Sequence, residues 1–304
     1  MSEFAPDPLR SMPVCLTVSS MDSTGGAVAQ ADLKTFTALG TYGAGVITSL
    51  IAQGFTRTCD EIPIRDAFVR EQLESVDEAL EINAVKVGHC PTPGIIRIVG
   101  RWLRQRKGIP VVIDPVMVTK AGIPLQQPEV IVAMQEELLP IATVITPNRF
   151  EAAQLTGKEE VLSREDMAGA AEQLFETYGC PTVVTGGGLT DENIDVFHGI
   201  DGCCEFPAAV IERGVTPFGA GDTYSAALCA LLARANDLRE SMMAAKSYVR
   251  SLIAESPIIA RRKAGSQGSP NPISHCIAVD SLARADGMGA TATGIHRALD
   301  STDH

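Results

Sequence analysis

Val14-Cys15-Leu16-Thr17-Val18-Ser19-Ser20-Met21-Asp22-Ser23-Thr24-Gly25-Gly26-Ala27 decides the fold of this chain. The β-branched run Val14 to Val18 reads as a buried strand, Ser20 to Gly26 as a loop, and Ala27 to Leu39, stopped by Gly40, as a helix. The same alternation continues outward. Gly45 to Leu50, Ala84 to Val87, Val111 to Asp114, Thr143 to Ile145 and Thr182 to Thr185 read as further buried strands. Between them, Arg65 to Leu80 and Ile95 to Lys107 read as helices. Ser163 opens another, with Glu165 and Asp166 in its first turn and Met167, Ala171, Leu174 and Tyr178 on its inner face. Such an order predicts an α/β fold of three layers, α/β/α, with a mostly parallel central sheet and right-handed crossovers. Asp195 to His198 and Cys204 to Phe206 predict an antiparallel pair at one edge, before a glycine-rich turn and two final helices.

In parallel sheets, ligands gather at the carboxyl ends of the strands. Ser20 to Gly26, Gly88 to Cys90, Asp114 to Val118, Pro147 to Asn148 and Gly186 to Gly188 all fall at such ends, so the candidate sites are co-located. The turn Gly219-Ala220-Gly221-Asp222 precedes the apolar helix that begins Thr223-Tyr224-Ser225-Ala226. Its glycines let successive N–H groups face one concavity, and the helix end adds positive potential, which suits a phosphate. Asp222 then reads either as an ordinary helix cap or as the acid beside a bound anion.

Composition narrows the function. With 304 residues, 45% hydrophobic and 20% charged, the chain fits one catalytic domain, expected over residues 14–260 after an extension over 1–13. Gly/Ser/Pro-rich sequence after Gly265 predicts a disordered, low-complexity tail over 265–304. A formal charge of −12 argues against a nucleic-acid or anionic-membrane binder. No secretory core and no run long enough to span a bilayer are present, so a cytoplasmic protein is expected. Eight cysteines without CxxC or zinc spacing read as buried free thiols.

The run Ser20 to Ala27, with Gln30-Ala31-Asp32-Leu33-Lys34-Thr35, Leu39-Gly40 and Tyr42-Gly43, closely resembles the hydroxymethylpyrimidine and phosphomethylpyrimidine kinases of thiamine synthesis, in the ribokinase-like superfamily. Ile113-Asp114-Pro115-Val116-Met117, Ile145-Thr146-Pro147-Asn148 with Glu151-Ala152, the Gly219 to Asp222 turn and Ala245-Lys246-Ser247 resemble further blocks, so the likeness covers roughly residues 14–256. It implies ATP-dependent phosphorylation of a hydroxymethyl group on a heteroaromatic ring, with Asp222 catalytic and Gly219, Ala220 and Gly221 forming the anion hole. Ser20, Asp32, Gln53, His89 and Val116 are implied around the substrate. Asn148, Glu151, Thr185, Gly187 and Lys246 are implied around ATP, with Glu151 holding Mg²⁺ through water. A homodimer is also implied. On residue type alone, Gln53 also reads as a strand-end cap, Asp32 as a paired carboxylate, Asn148 with Glu151 as a capping box, and Lys246 as a solvated helix residue.

Three departures from the family stand out. Asp222 occupies a position where thiamine-pathway members often carry cysteine and the wider superfamily Asp; Thr185 stands where lysine is usual. Ser20 and His89 replace a common Gly and Met. A histidine there fits a phenolic pyridine, which keeps pyridoxal as an alternative substrate, or reads as a satisfied structural residue. A catalytically silent binding protein is the reading from another class, favoured by Thr185 and opposed by the intact turn.

Overall fold

The computed structural model describes residues 12–118, 125–186, 193–208, 211, 215–257, 259 and 269–275. A nine-stranded sheet forms its centre, in the order β3-β2-β1-β4-β5-β6-β7-β8-β9. β1 (Val14–Asp22), β2 (Tyr42–Gln53), β4 (Ala84–Val87), β5 (Val111–Ile113), β6 (Val144–Ile145) and β7 (Thr182–Thr185) run parallel. β3 (Thr58–Pro63) is antiparallel at one edge, and β8 (Asn193–Gly199) and β9 (Gly202–Ala208) are antiparallel at the other. The expected second edge pair is therefore present, and β3 is an edge that sequence patterning did not yield.

Strand alternation explains why the sheet is covered on both faces. Leu16, Val85, Ile113 and Ile145 pack into one core with Leu73, Ile95 and Met134 of α2 (Asp66–Ala79), α3 (Pro93–Arg104) and α4 (Pro128–Glu137). Their neighbours Cys15, Ala84, Val112 and Val144 point the other way. There they meet Phe36 of α1 (Val28–Ala38), Leu228 of α7 (Ala220–Ala233) and Met242 of α8 (Leu238–Glu255). A smaller core lies under α5 (Arg149–Thr156) and α6 (Arg164–Tyr178), with Ala152, Met167, Ala171, Val184 and Val196. Ser163 caps α6 in a reciprocal box with Asp166, and Gly179 ends it at φ +65°, as the sequence pattern requires.

Among the described residues no helix is long and apolar enough to cross a membrane. Of the described cysteines, Cys15, Cys90, Cys180 and Cys229 are buried free thiols as expected, whereas Cys59 and Cys203 are exposed.

The segment read as a tail contributes structure. β10 (Val215–Phe218) leads into the glycine-rich turn and pairs in parallel with β11 (Ser269–Pro272). Ile273 enters the α7–α8 core, and His275 is buried. For 269–275 the expectation of an unpacked tail is thus corrected, because the docked strand gives Ile273 apolar surface to bury; the rest of 265–304 lies outside the described residues, as do 1–11 of the N-terminal extension.

Candidate active site

Gly219 is the hinge on which the site turns. It sits at φ +81°, and a Cβ there would lie 1.9 Å from the Gly26 carbonyl oxygen, so only glycine lets the turn touch the loop after β1. A Cβ on Gly26 would in turn meet Phe218 and Pro272 at 3.0 and 3.1 Å. Three remote segments therefore close around the start of α7. The first amides of that helix have no intrahelical acceptor and no side-chain cap, which suits them to an anion. Gly219→Ala is expected to lower the thermal midpoint and to cut turnover at least ~10-fold, as loss of aligned amide donors does. Steady-state rates and a melting curve check this, and an unshifted, fully active variant would show that the turn adapts.

Asp22 shapes the facing loop. Its Oδ1 accepts from the Gly25 N–H (2.7 Å) and the Thr24 hydroxyl (2.6 Å), and its Oδ2 from the Ala27 N–H (3.0 Å). Gln30 braces it from α1, accepting from the Asp22 N–H at 3.0 Å. Just beyond, Val28 adopts φ +46°, a strained value for a β-branched residue, at the point where the loop becomes helix.

Beneath Asp222 lies a buried lysine. Lys86, in the interior of β4 and 0% exposed, reaches Asp32 at 2.6 Å, Asp222 at 3.2 Å and Asp114 at 3.7 Å. Burial opposes its charge, but the three carboxylates outweigh burial and hold its pKa above the ordinary value. Burial pushes Asp32 up to about 7 despite Lys86, with the Asp222 charge adding to the rise. Asp114, also buried, is pushed up to about 6; Ser225 of α7 donates to it at 2.7 Å. Asp222 is the most accessible of the three, with 13% of its side chain exposed against 9% for Asp114 and 0% for Asp32.

The residues singled out by sequence separate into groups. Asp32 is fully enclosed, with Oδ2 accepting from Thr17 (2.6 Å) and Oδ1 from Lys86, so it holds the lysine and offers no face to a ring. Ser20 is buried against Thr48, Ser49 and the His89 carbonyl. His89 has both ring nitrogens engaged, by Glu61 at 2.8 Å and Gln126 at 3.0 Å, which matches the satisfied-histidine reading. Gln126 also reaches the carbonyl of half-buried Val116, so Ser20, His89 and Val116 share one cluster. Gln53 lies at the hairpin end, where its Oε1 accepts from Thr58 (2.9 Å) and its amide nitrogen is left to donate.

On the other side, Asn148 caps α5 in a reciprocal box with Glu151 and bridges to Thr185. Glu151 is 3% exposed, and its oxygens accept from the N–H groups of Asn148 (2.8 Å) and Met117 (3.3 Å). Burial, then the Asp114 charge, raises its pKa well above the ordinary value. Lys246 pairs with Asp195 at 2.8 Å, and Asp195 accepts from the Gly186 N–H at 3.0 Å, so this lysine stands beside the strand end that Thr185 occupies. Gly187 lies outside the described residues.

Sequence reasoning missed Lys86, although a lysine inside an otherwise apolar four-residue strand was its signal. It also passed over Asp22 and Asp114, both within quoted blocks, and His275. His275 Nε2 lies 3.1 Å from Thr223 Oγ1, whose hydroxyl also donates to the Gly219 carbonyl at 2.7 Å. Burial, aided by Lys34, lowers its pKa to about 4.

Residues 22–266 match the family model described as phosphomethylpyrimidine kinase. A pyridoxine kinase of Bacillus subtilis is 38% identical over 254 residues, covering 81% of this chain and 92% of its own. A hydroxymethylpyrimidine/phosphomethylpyrimidine kinase of Rhizobium meliloti is 39% identical over 242 residues, covering 79% and 90%. The ADP complex of Bacillus subtilis pyridoxal kinase superimposes with a TM-score of 0.79 at 35% identity, covering 87% of this chain and 98% of that one. With the matched blocks spread over the strand ends that build the site, the chain belongs to the phosphomethylpyrimidine kinase family, with a ribokinase-like α/β fold.

Proposed function

We propose that this protein transfers the γ-phosphoryl group of ATP to the hydroxymethyl group of 4-amino-5-hydroxymethyl-2-methylpyrimidine, and to its monophosphate, in thiamine biosynthesis. The observation that carries the reading is Asp222 in the first turn of α7, held by Lys86 at 3.2 Å with 13% of its side chain still exposed. The substrate oxygen attacks the γ-phosphorus, the bond from that phosphorus to the β,γ-bridging oxygen breaks, and the hydroxyl proton passes to Asp222. The transition state is loose, so a carboxylate that orients the hydroxyl and takes its proton late is enough. The amides of Gly219 to Asp222 collect the charge that develops on the transferring group.

The donor set fits a magnesium ion bound mainly to nucleotide phosphates and water. Asp32, Asp114 and Asp222 face one buried lysine, and Glu151 feels the charges of Asp114 and Asp222, an excess of negative charge that a hydrated dication would relieve. Asp114 and Glu151 would hold it through water, and when bound it neutralises phosphate charge. Asn148 and Lys246 would border the nucleotide, with Lys246 supplying the charge that Thr185 lacks.

Pyridoxal is kept as a second substrate reading, because a pyridoxine kinase and pyridoxal kinases are among the similar proteins. Pure protein with ATP and Mg²⁺ is to be incubated separately with the hydroxymethylpyrimidine, its monophosphate and pyridoxal, with products identified by mass. Phosphorylation of the first two is expected; turnover of pyridoxal alone favours the second reading, and failure with all three favours the silent binder.

A further inference from the structure

We propose that Glu61 reads the substrate ring, as a hydrogen-bond acceptor that His89 and Ser49 lock in place and that selects a ring bearing an N–H donor over one bearing an anionic oxygen. The inference rests on the proposed kinase reading and names the determinant of ring choice within it.

The proton positions follow from the geometry. Gln126 Nε2 lies 3.3 Å from the Cys90 carbonyl and 3.4 Å from the Val116 carbonyl, which orients its amide nitrogen toward both. That nitrogen then donates to His89 Nδ1 at 3.0 Å, so the ring's other nitrogen carries hydrogen and donates to Glu61 Oε1 at 2.8 Å. The Ser49 hydroxyl donates to the same oxygen at 2.5 Å. Two donors from two elements thus fix one oxygen of Glu61. Its Oε2 has no partner among the described residues, and 28% of the side chain is exposed. Burial alone would raise the Glu61 carboxyl, but hydrogen bonds from His89 and Ser49 outweigh it and hold the pKa below the ordinary value.

Place matters as much as state. Ser49 also bonds Ser20, and Gln126 also bonds Val116, so the lock is built into the cluster at the strand ends that Ser20, His89 and Val116 form. His89 offers no free atom to a ligand and acts through Glu61; it is a positioning residue. An ionised carboxylate can only accept. It satisfies the exocyclic amine of an aminopyrimidine and repels the phenolate of pyridoxal, a discrimination by both attraction and repulsion. Glu61→Gln keeps an oxygen for His89 and Ser49 but turns an amide donor outward, which inverts the preference.

The test titrates wild type, Glu61→Gln and His89→Met calorimetrically with the hydroxymethylpyrimidine and with pyridoxal, without nucleotide, alongside kcat/KM for each with ATP. Glu61→Gln is expected to weaken the aminopyrimidine about 10-fold or more, mainly in KM, with pyridoxal unchanged or improved. The nucleotide KM and thermal midpoint should stay near wild type. His89→Met is expected to shift the ratio the same way by a smaller factor. An unchanged ratio in Glu61→Gln, with wild type binding either ring, overturns the role of Glu61. Wild type that binds and phosphorylates neither ring overturns the kinase reading instead.

Discussion

Asp222→Asn lowers turnover by about 10²- to 10⁴-fold, the usual contribution of a positioned proton acceptor, with the KM for ATP little changed. The amide retains the shape of the side chain and an oxygen for Lys86, which lies 3.2 Å from the carboxylate. What it loses is the ability to take the hydroxyl proton. Folding should not suffer, because the lysine already faces two more carboxylates, Asp32 and Asp114, and the buried cluster carries excess negative charge. A thermal midpoint equal to or slightly above the parent is therefore expected beside the kinetic loss. Steady-state rates and melting on the same preparation separate the two effects, and parent-like turnover would remove Asp222 from the chemistry.

Lys86→Met is expected to give the largest loss of stability, on the order of 3–5 kcal/mol at pH 8, because it strands buried carboxylates without their cation. The loss should depend on pH in a definite direction. Asp32 titrates at about 7 and Asp114 at about 6, so above these values both are ionised and need the lysine. Below them the folded protein holds protons on these groups, the cluster needs less positive charge, and the penalty shrinks. Denaturant unfolding of parent and variant at pH 5 and pH 8 measures the difference. Adding Asp32→Asn to Lys86→Met removes one stranded charge and should recover part of the stability at pH 8. A penalty that is constant with pH would show that the lysine acts through packing alone.

How much of this was legible in the sequence follows from range of interaction. Ala84 to Val87 and Thr182 to Thr185 match their strands at both ends, since a buried strand advertises itself locally. β3 and β10–β11 gave no such signal: Thr58–Pro63 is largely exposed and interrupted by Asp60 and Glu61, and Ser269–Pro272 is a strand only because β10 pairs with it. α4, too, was passed over, its pattern being weakly amphipathic. The glycine-rich turn was readable because its conformation depends on neighbours in sequence. Lys86 and Asp222 are joined across 136 positions, and the Gln126–His89–Glu61 chain joins the segments before α4 and after β4 to β3, so their roles became visible only when the fold brought them together. The resemblance placed Asp32 near the ring; three-dimensional enclosure by Thr17 and Lys86 instead makes it the lysine's anchor.

The pairing of β11 with β10 also bears on how the enzyme comes into being. Pro272 packs on Gly26, and His275 on Thr223, so one wall around the start of α7 comes from residues synthesised long after the first strand and loop. Domains tend to organise from the amino end during translation, and the strand that docks beside the start of α7 follows the whole sheet in sequence. A nascent chain therefore completes all nine strands of the central sheet before it makes the strand that docks beside the glycine-rich turn.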